Sequence, residues 1–244
     1  MELVIFIRVL LVRIFSLFYF AKRSKVIFYH DIHSYVRYTE MSTPINLFQR
    51  HINIIKDSGY EIVSEITKDH GQIEICFDDA FLGLYENIRF IKQHKIPVHL
   101  FVVPYYIGRK NYINKNQLLE IDRSKLIRVS SHTYSHKRLN KIDKKEIYRE
   151  LQISKEYLET LLGKQVESLC YPEGKFDNDT IRIAKEVGYK KQYSSLPGFY
   201  FDLFSTIIIR RSLVQAAKEK EFRAILKGGD HFLSSWYKLK HFKK

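Results

Sequence analysis

Apolar positions along this chain fall in short runs that alternate between two periods. Residues 26–29 (VIFY) form a run of strand length that leads into His30. Ile45, Phe48, Ile52 and Ile55 then repeat at helical spacing, and Gly59 stops that helix. Residues 61–63 suit a short strand and residues 73–77 (IEICF) a clear one. Tyr85, Ile88 and Ile91 mark a helix that ends before Pro97. Residues 98–103 (VHLFVV) read as strand, Leu118 and Ile121 sit on a short helix, and residues 126–130 form a strand running to His132. Residues 144–162 make an amphipathic helix, with Ile147, Leu151, Leu158 and Leu161 inward and Gly163 closing it. A strand over 168–171 ends in Pro172, and Asp177 caps a helix that runs to Val187 and closes at Gly188. Residues 191–194 and 206–210 are strand-like, and residues 219–226 complete the set as a helix.

About seven strand–helix units in sequence predict an α/β protein with a parallel sheet, closed or nearly closed into a barrel. Titratable residues gather where the strands end: His30, Asp78, Asp79, His132 and the turn at Pro172. Barrels of parallel strands place their active sites at that face. Asp78 and Asp79 are the most telling pair. Two adjacent carboxylates repel and lose hydration as a strand enters a core, and a divalent cation would compensate both effects. One Asp is then expected to bind metal and the other to move protons; the alternative is a surface turn with Asp as a helix N-cap. His132 and His136 stand four apart, so on one helical turn they share a face. Together with Asp79 they form a candidate two-histidine, one-carboxylate site with open positions.

Composition changes the picture at the N-terminus. The 244-residue chain carries 41 Lys+Arg against 27 Asp+Glu, a net charge of +14 that suits an anionic partner. No basic–aromatic motif points to nucleic acid, which is not expected as a partner. Residues 3–20 are nearly all apolar but contain Arg8 and Arg13, and Lys22, Arg23 and Lys25 follow. Each arginine costs roughly 2.5–3.5 kcal/mol at a bilayer centre. An interfacial helix over residues 1–25 is therefore favoured over a span, with a buried core helix as the alternative. A cleaved signal peptide fits poorly, because the charges do not precede the apolar run. Residues 231–244 form a basic aromatic tail, with Lys238, Lys240, Lys243 and Lys244 beside Trp236, Tyr237 and Phe242. Membrane association follows as an expectation, with the catalytic domain cytoplasmic, or alternatively on the envelope or extracellular side. Cys76 and Cys170 lie in apolar runs and read as buried thiols rather than a disulfide framework.

Three motifs in order, FDDAF, HTYSH and YPEG, resemble the NodB-homology polysaccharide deacetylases, carbohydrate esterase family 4. The likeness runs from about Val26 to Leu226, and the domain is set at residues 26–230. It implies a distorted (β/α)7 barrel and removal of acetyl groups from an N-acetylated amino sugar, in a polysaccharide or a lipid-linked glycan. It assigns Asp78 as general base and Asp79, His132 and His136 as ligands of one divalent ion, with zinc expected and cobalt or nickel admitted. It places the oxyanion at a main-chain N–H near Glu173, within the segment Tyr171, Pro172, Glu173 and Gly174. In the subgroup resembling poly-N-acetylglucosamine N-deacetylases the acid histidine ends the first strand, as His30 does here in a Tyr29-His30 pair; His231 is the rival. A family arginine orients the base, a role falling to Arg210 or Arg211, with Arg210 chosen.

Three departures matter. Ala80 replaces a glycine, and the turn survives if its φ is negative. Cys170 replaces the third motif's arginine, and Glu173 replaces a tyrosine. Two other functions compete: an amidase acting on another acetamide or ring amide, and a catalytically decayed carbohydrate-binding protein.

Overall fold

The computed structural model describes residues 2–19, 21–202 and 208–243. Its principal strands are β1 (Lys25–Tyr29), β2 (Asp31–His33), β3 (Ser42–Pro44), β4 (Glu61–Val63), β5 (Gln72–Phe77), β6 (Val98–Val102), β7 (Ile127–Ser131), β8 (Ser168–Cys170), β9 (Phe176–Asp177), β10 (Lys191–Tyr193), β11 (Ile208–Ile209), β12 (Arg211–Leu213) and β13 (Phe242–Lys243). The helices are α1 (Glu2–Phe15), α2 (Ile45–Asp57), α3 (Leu82–Glu86), α4 (Ile88–Gln93), α5 (Lys115–Arg123), α6 (Lys144–Leu162), α7 (Asn178–Glu186), α8 (Glu219–Leu226) and α9 (Ser234–His241).

The main sheet runs β11-β10-β8-β7-β6-β5-β1-β12, with β4 beside the start of β5. Every pairing in it is parallel. Its two edges are parts of one segment. Gln192 of β10 lies opposite Ile208, while Val26 of β1 lies opposite Arg211. Only Arg210 separates β11 from β12. The chain bends there and joins the first strand to β10, so the expected distorted barrel is the observed architecture. Residues 206 and 207, expected to begin this last strand, lie outside the described residues.

Strands β1, β5 and β6 are buried along their whole length, on both faces. Both faces of such strands are therefore apolar, as in parallel sheets covered by helices. Ile27, Ile75, Phe77, Leu100 and Leu169 pack outward on the helices. Val26, Phe28, Cys76, Phe101, Cys170 and Tyr193 form a separate inner cluster.

The helices follow the sequence pattern. In α6, Ile147, Leu151, Ser154 and Leu158 are buried, Asp143 accepts from Glu146 N–H at the start, and Gly163 ends it at φ 66°. The helix expected from Tyr85, Ile88 and Ile91 is broken at Asn87, whose Nδ2 donates to Gly83 O at 2.8 Å. α7 begins as expected at Asp177, which accepts from Thr180 N–H.

Both ends of the chain pack on the barrel. Arg8 of α1 pairs with Glu221 of α8 at 2.5 Å, and Val12 is fully buried. A Cβ on Gly229 would lie 2.1 Å from Val12 O, so that close approach requires glycine. At the other end β13 pairs with β9, with Phe242 opposite Phe176.

Candidate metal centre and active site

Asp78 and Asp79 emerge directly from β5. Asp79 and Ala80 then take φ of 70° and 63°. This left-handed step breaks strand alternation, and both carboxylates line the same cavity. The condition set for Ala80, a negative φ, is therefore not met, and the turn forms nonetheless. Alanine occupies a conformation that costs an L-residue roughly 1–2 kcal/mol. Thr133, His136 and Glu173, also in the site, have positive φ as well. Strain of this kind is held where surrounding bonds over-determine the backbone.

The histidine pair also assembles differently from its spacing. β7 ends at Ser131, and a turn follows rather than a helical turn. Thr133 and His136 have φ of 63° and 62°, which no right-handed helix allows. His136 N–H donates to Thr133 Oγ1 at 3.1 Å, and Ser135 N–H and Oγ donate to the Glu150 carboxylate at 2.8 and 2.6 Å. These bonds fold the loop back and bring the two imidazole centroids to 4.9 Å.

Asp79 completes the group. Its Oδ1 lies 3.6 Å from His132 Nε2 and 3.4 Å from His136 Nε2. His132 Nδ1–H donates to Cys170 O at 2.8 Å, so the Nε2 lone pair faces the carboxylate. Asp79 Oδ1 is buried and has no hydrogen-bond partner. The separations match ligands around a tetrahedral ion, which stand about 3.4 Å apart when bonds are near 2.1 Å. Burial pushes His132 down to about 3 and lowers His136. Burial likewise raises Asp79 to about 6, against the opposing charges of His30 and Arg211. Two neutral imidazoles and a desolvated carboxyl thus share an orphaned oxygen. A divalent cation fits that donor set.

Asp78 is held quite differently. Burial disfavours its charge, but Arg211 outweighs that and holds the carboxyl well below the usual range. Arg211 Nη1 and Nη2 donate to the two Asp78 oxygens at 2.7 and 2.8 Å. Its Nε donates to Ser194 O at 2.9 Å, and Cys170 Sγ lies 2.9 Å from Nη2. The choice of Arg210 as the residue that orients the base is therefore corrected. Arg210 instead donates to Pro197 O at 3.1 Å, to Ser234 Oγ at 2.5 Å and to Asp202 O. The reason is strand alternation. Neighbours point to opposite faces, and Arg211 is the one that enters the barrel, fully buried. It reaches the space vacated where Cys170 stands in place of the expected arginine.

His30 shares the cavity, and Gln215 Oε1 accepts from its Nδ1 at 2.7 Å. Tyr29, its partner in the motif, points the other way and donates its hydroxyl proton to His51 Nδ1 at 2.8 Å. His231 packs against Tyr19 and Phe199 and does not line the cavity. Pro172, Glu173 and Gly174 form a tight turn, with Gly174 N–H bonded to Tyr171 O at 2.9 Å and Glu173 at φ 54°. Gly174 is required there, because a Cβ would meet Ser195 at 2.6 Å. The Glu173 carboxylate is drawn to Arg138 at 2.7 Å, and Tyr171 donates its hydroxyl proton to Gln192. The cavity has a volume of ≈ 540 Å³ and is lined by His30, Asp78, Asp79, His132, His136 and Arg211, among others.

Sequence reading missed a second polar layer deeper in the barrel. Glu74 Oε1 accepts from His99 Nδ1 at 2.8 Å, Arg128 at 3.0 Å and Tyr193 at 3.1 Å. Glu74, Cys76 and His99 also approach as metal ligands do, but Arg128 already compensates the carboxylate. The available signal was the alternation Glu74, Cys76, Asp78 within an otherwise apolar run.

Comparison with known proteins gives a consistent result. The polysaccharide deacetylase family profile matches residues 65–191, which include Asp78, Asp79, His132, His136 and the turn at Pro172 but not His30 or Arg211. A Bacillus subtilis (strain 168) protein, YxkH, provisionally named a polysaccharide deacetylase, is 24% identical over 184 residues, 71% of this chain and 64% of that protein. The poly-beta-1,6-N-acetyl-D-glucosamine N-deacetylase of Staphylococcus aureus (strain MRSA252) is 28% identical over 134 residues, 49% of this chain and 46% of that one. The chain thus spans between about half and two thirds of the length of these relatives. Among solved structures, the Streptococcus pyogenes deacetylase PplD in complex with acetate superposes with TM-score 0.72 at 18% identity, covering 83% of this chain and 97% of that one. IcaB from Ammonifex degensii gives TM-score 0.72 at 18% identity, covering 85% and 97%. At that identity the structural likeness shows the fold alone.

Proposed function

Because this chain belongs to the polysaccharide deacetylase family, we propose that it is a hydrolase of amide bonds that removes N-acetyl groups from an N-acetylated amino sugar of a glycan, releasing acetate. One observation carries the reading. The orphaned Asp79 oxygen and two inward imidazole nitrogens stand beside a second carboxylate that Arg211 keeps ionised, all in one cavity.

In this reading Asp79, His132 and His136 hold one divalent ion. Bound there, it supplies Lewis acidity toward the amide carbonyl and acidifies the attacking water. Zinc suits two imidazoles and a carboxylate, and cobalt or nickel would also be accepted. Asp78 takes the proton of that water; Arg211 fixes its two oxygens and keeps it charged at neutral pH. The oxyanion falls to the Glu173 N–H, since Pro172 has none and the Gly174 N–H already bonds Tyr171 O at 2.9 Å, with Tyr171 and Glu173 lining the wall. His30, oriented by Gln215, gives its proton to the leaving amine. Glu173 does not oppose this, because Arg138 draws its carboxylate aside.

Association with a membrane surface through residues 3–25 is proposed separately from the activity. Among the described residues no helix is long and apolar enough to cross a membrane. The catalytic domain is placed on the cytoplasmic side, or alternatively on the envelope or extracellular side.

Acetate release from N-acetylglucosamine oligomers, with and without chelator, tests the function. Chelator-sensitive release that Asp78→Asn abolishes, with metal still bound, is the expected result. Release of acetate from other acetamides but not from these oligomers would assign a different amidase. No uptake of any divalent ion would mark a decayed binding protein.

A further inference from the structure

Helix α1 is built inside out. Phe6, Ile7, Leu10 and Ile14 are all exposed, and at 100° per residue they share an arc of about 100°. Leu17 and Phe18 continue the patch and are 67% and 71% exposed. The inward face of the same helix carries its ion pair. Arg8 meets Glu221, Val12 is buried, and Phe15 stacks on Phe232 with ring centroids 4.3 Å apart. Beside it α9 exposes Trp236 and Leu239. A water-facing helix normally turns these faces the other way, so this patch has a partner.

Charge and length identify the partner. Arg13 flanks the apolar arc and is exposed; Lys22, which follows the helix in sequence, and Lys240 of α9 are exposed as well. An apolar stripe edged by cations suits a bilayer surface with anionic headgroups. The 14 residues of α1 extend about 21 Å, too short for the roughly 30 Å hydrocarbon layer, so the helix lies flat.

The same helix also walls the active-site cavity. Arg8, Glu221, Leu233, Tyr237 and Lys240 line its far side, continuous with Asp78 and His132. Of α1 only Arg8, on the inward face, reaches this lining, so the cavity lies behind the outward-facing arc. We propose that the outward face of α1, with α9, docks on an anionic lipid bilayer, and that the cavity behind it receives the acetamido sugar of a lipid-linked carrier. The substrate half rests on the deacetylase reading; the docking half does not.

The test uses the full chain and the variant Phe6→Ser/Leu10→Ser/Leu17→Ser, which alters only exposed side chains. Wild type is expected to co-sediment with phosphatidylglycerol vesicles and less with phosphatidylcholine, and the variant to lose at least about tenfold in partitioning. Wild type left in the supernatant, or a variant bound equally well, overturns docking. A dimer in sedimentation equilibrium that the variant dissolves assigns the face to a second copy and also overturns it. For the substrate, N-acetylglucosamine linked through phosphate to a polyprenol in vesicles is compared with a soluble N-acetylglucosamine oligomer. The variant is expected to lose about tenfold on the vesicle-borne sugar, following its partitioning, and nothing on the oligomer. Equal loss on both overturns the carrier assignment. If wild type hydrolyses neither, the deacetylase reading falls and takes the substrate half with it, while sedimentation still decides docking.

Discussion

Replacing Arg211 with Met isolates what holds the base. The guanidinium is fully buried and binds both oxygens of Asp78, itself buried. Removing one partner of such a pair leaves an uncompensated charge and costs about 3–5 kcal/mol. That is a large share of the roughly 5–15 kcal/mol that holds a domain together. The pH dependence should change sign as well. In the wild type the folded pKa of Asp78 lies below its unfolded value. Its stabilisation is therefore present above about pH 4 and is lost as pH falls through the folded pKa. Without Arg211, burial outweighs the smaller opposing charges of His132 and His30 and raises the folded pKa above the unfolded one. The carboxyl then favours folding at low pH, and its contribution to stability, measured against wild type, declines as pH rises. Urea unfolding of wild type, Arg211→Met, Asp78→Asn and the double variant, at pH 5 and pH 8, measures both effects. The double variant should recover much of the loss, with a coupling of more than about 2 kcal/mol. Arg210→Met should leave the acid profile unchanged. A coupling below about 0.5 kcal/mol, or an Arg211→Met variant whose loss relative to wild type is no greater at pH 8 than at pH 5, would refute the assignment of Arg211.

Zinc should raise the melting temperature of the chelator-treated protein, by an amount equivalent to about 2.7 kcal/mol when zinc is at a hundred times its Kd. Asp79→Asn should abolish that rise, and calorimetry with added zinc checks it. Burial lowers His51 to about 4, against the bond its Nε2–H makes to Ala217 O. Stability from this residue is therefore complete above about pH 6.5 and falls by roughly 3 kcal/mol as pH drops to 4. His51→Gln keeps an acceptor for Tyr29 and a donor for Ala217, so acid unfolding of that variant should be flatter over this range. Ala80→Gly should stabilise by up to about 1 kcal/mol, since φ of 63° suits glycine; a loss of stability in thermal unfolding would show the strain argument to be wrong.

The site was legible in the sequence to the extent that its chemistry sits at strand ends. His30, Asp78, Asp79 and His132 each follow an apolar run, and the cavity gathers all of them. How they are aimed was not legible. The spacing of His132 and His136 suggests a helical turn, yet bonds to Thr133 and Glu150 hold a left-handed loop. Glu74 and His99 passed as strand residues because β5 and β6 are buried on both faces, so alternation does not separate barrel interior from helix-facing surface.

The sequence by itself determined the order of strands and helices and most residues that carry the chemistry. Those follow from local periodicity and from short-range turn and cap preferences. Tertiary structure decided which of two adjacent arginines reaches Asp78, because a side chain's face depends on how residues 208–213 close the barrel. It also decided that α1 turns its apolar side outward, since Arg8 finds Glu221 across 213 residues of chain. Contacts of that range leave no periodic mark in the sequence around either partner.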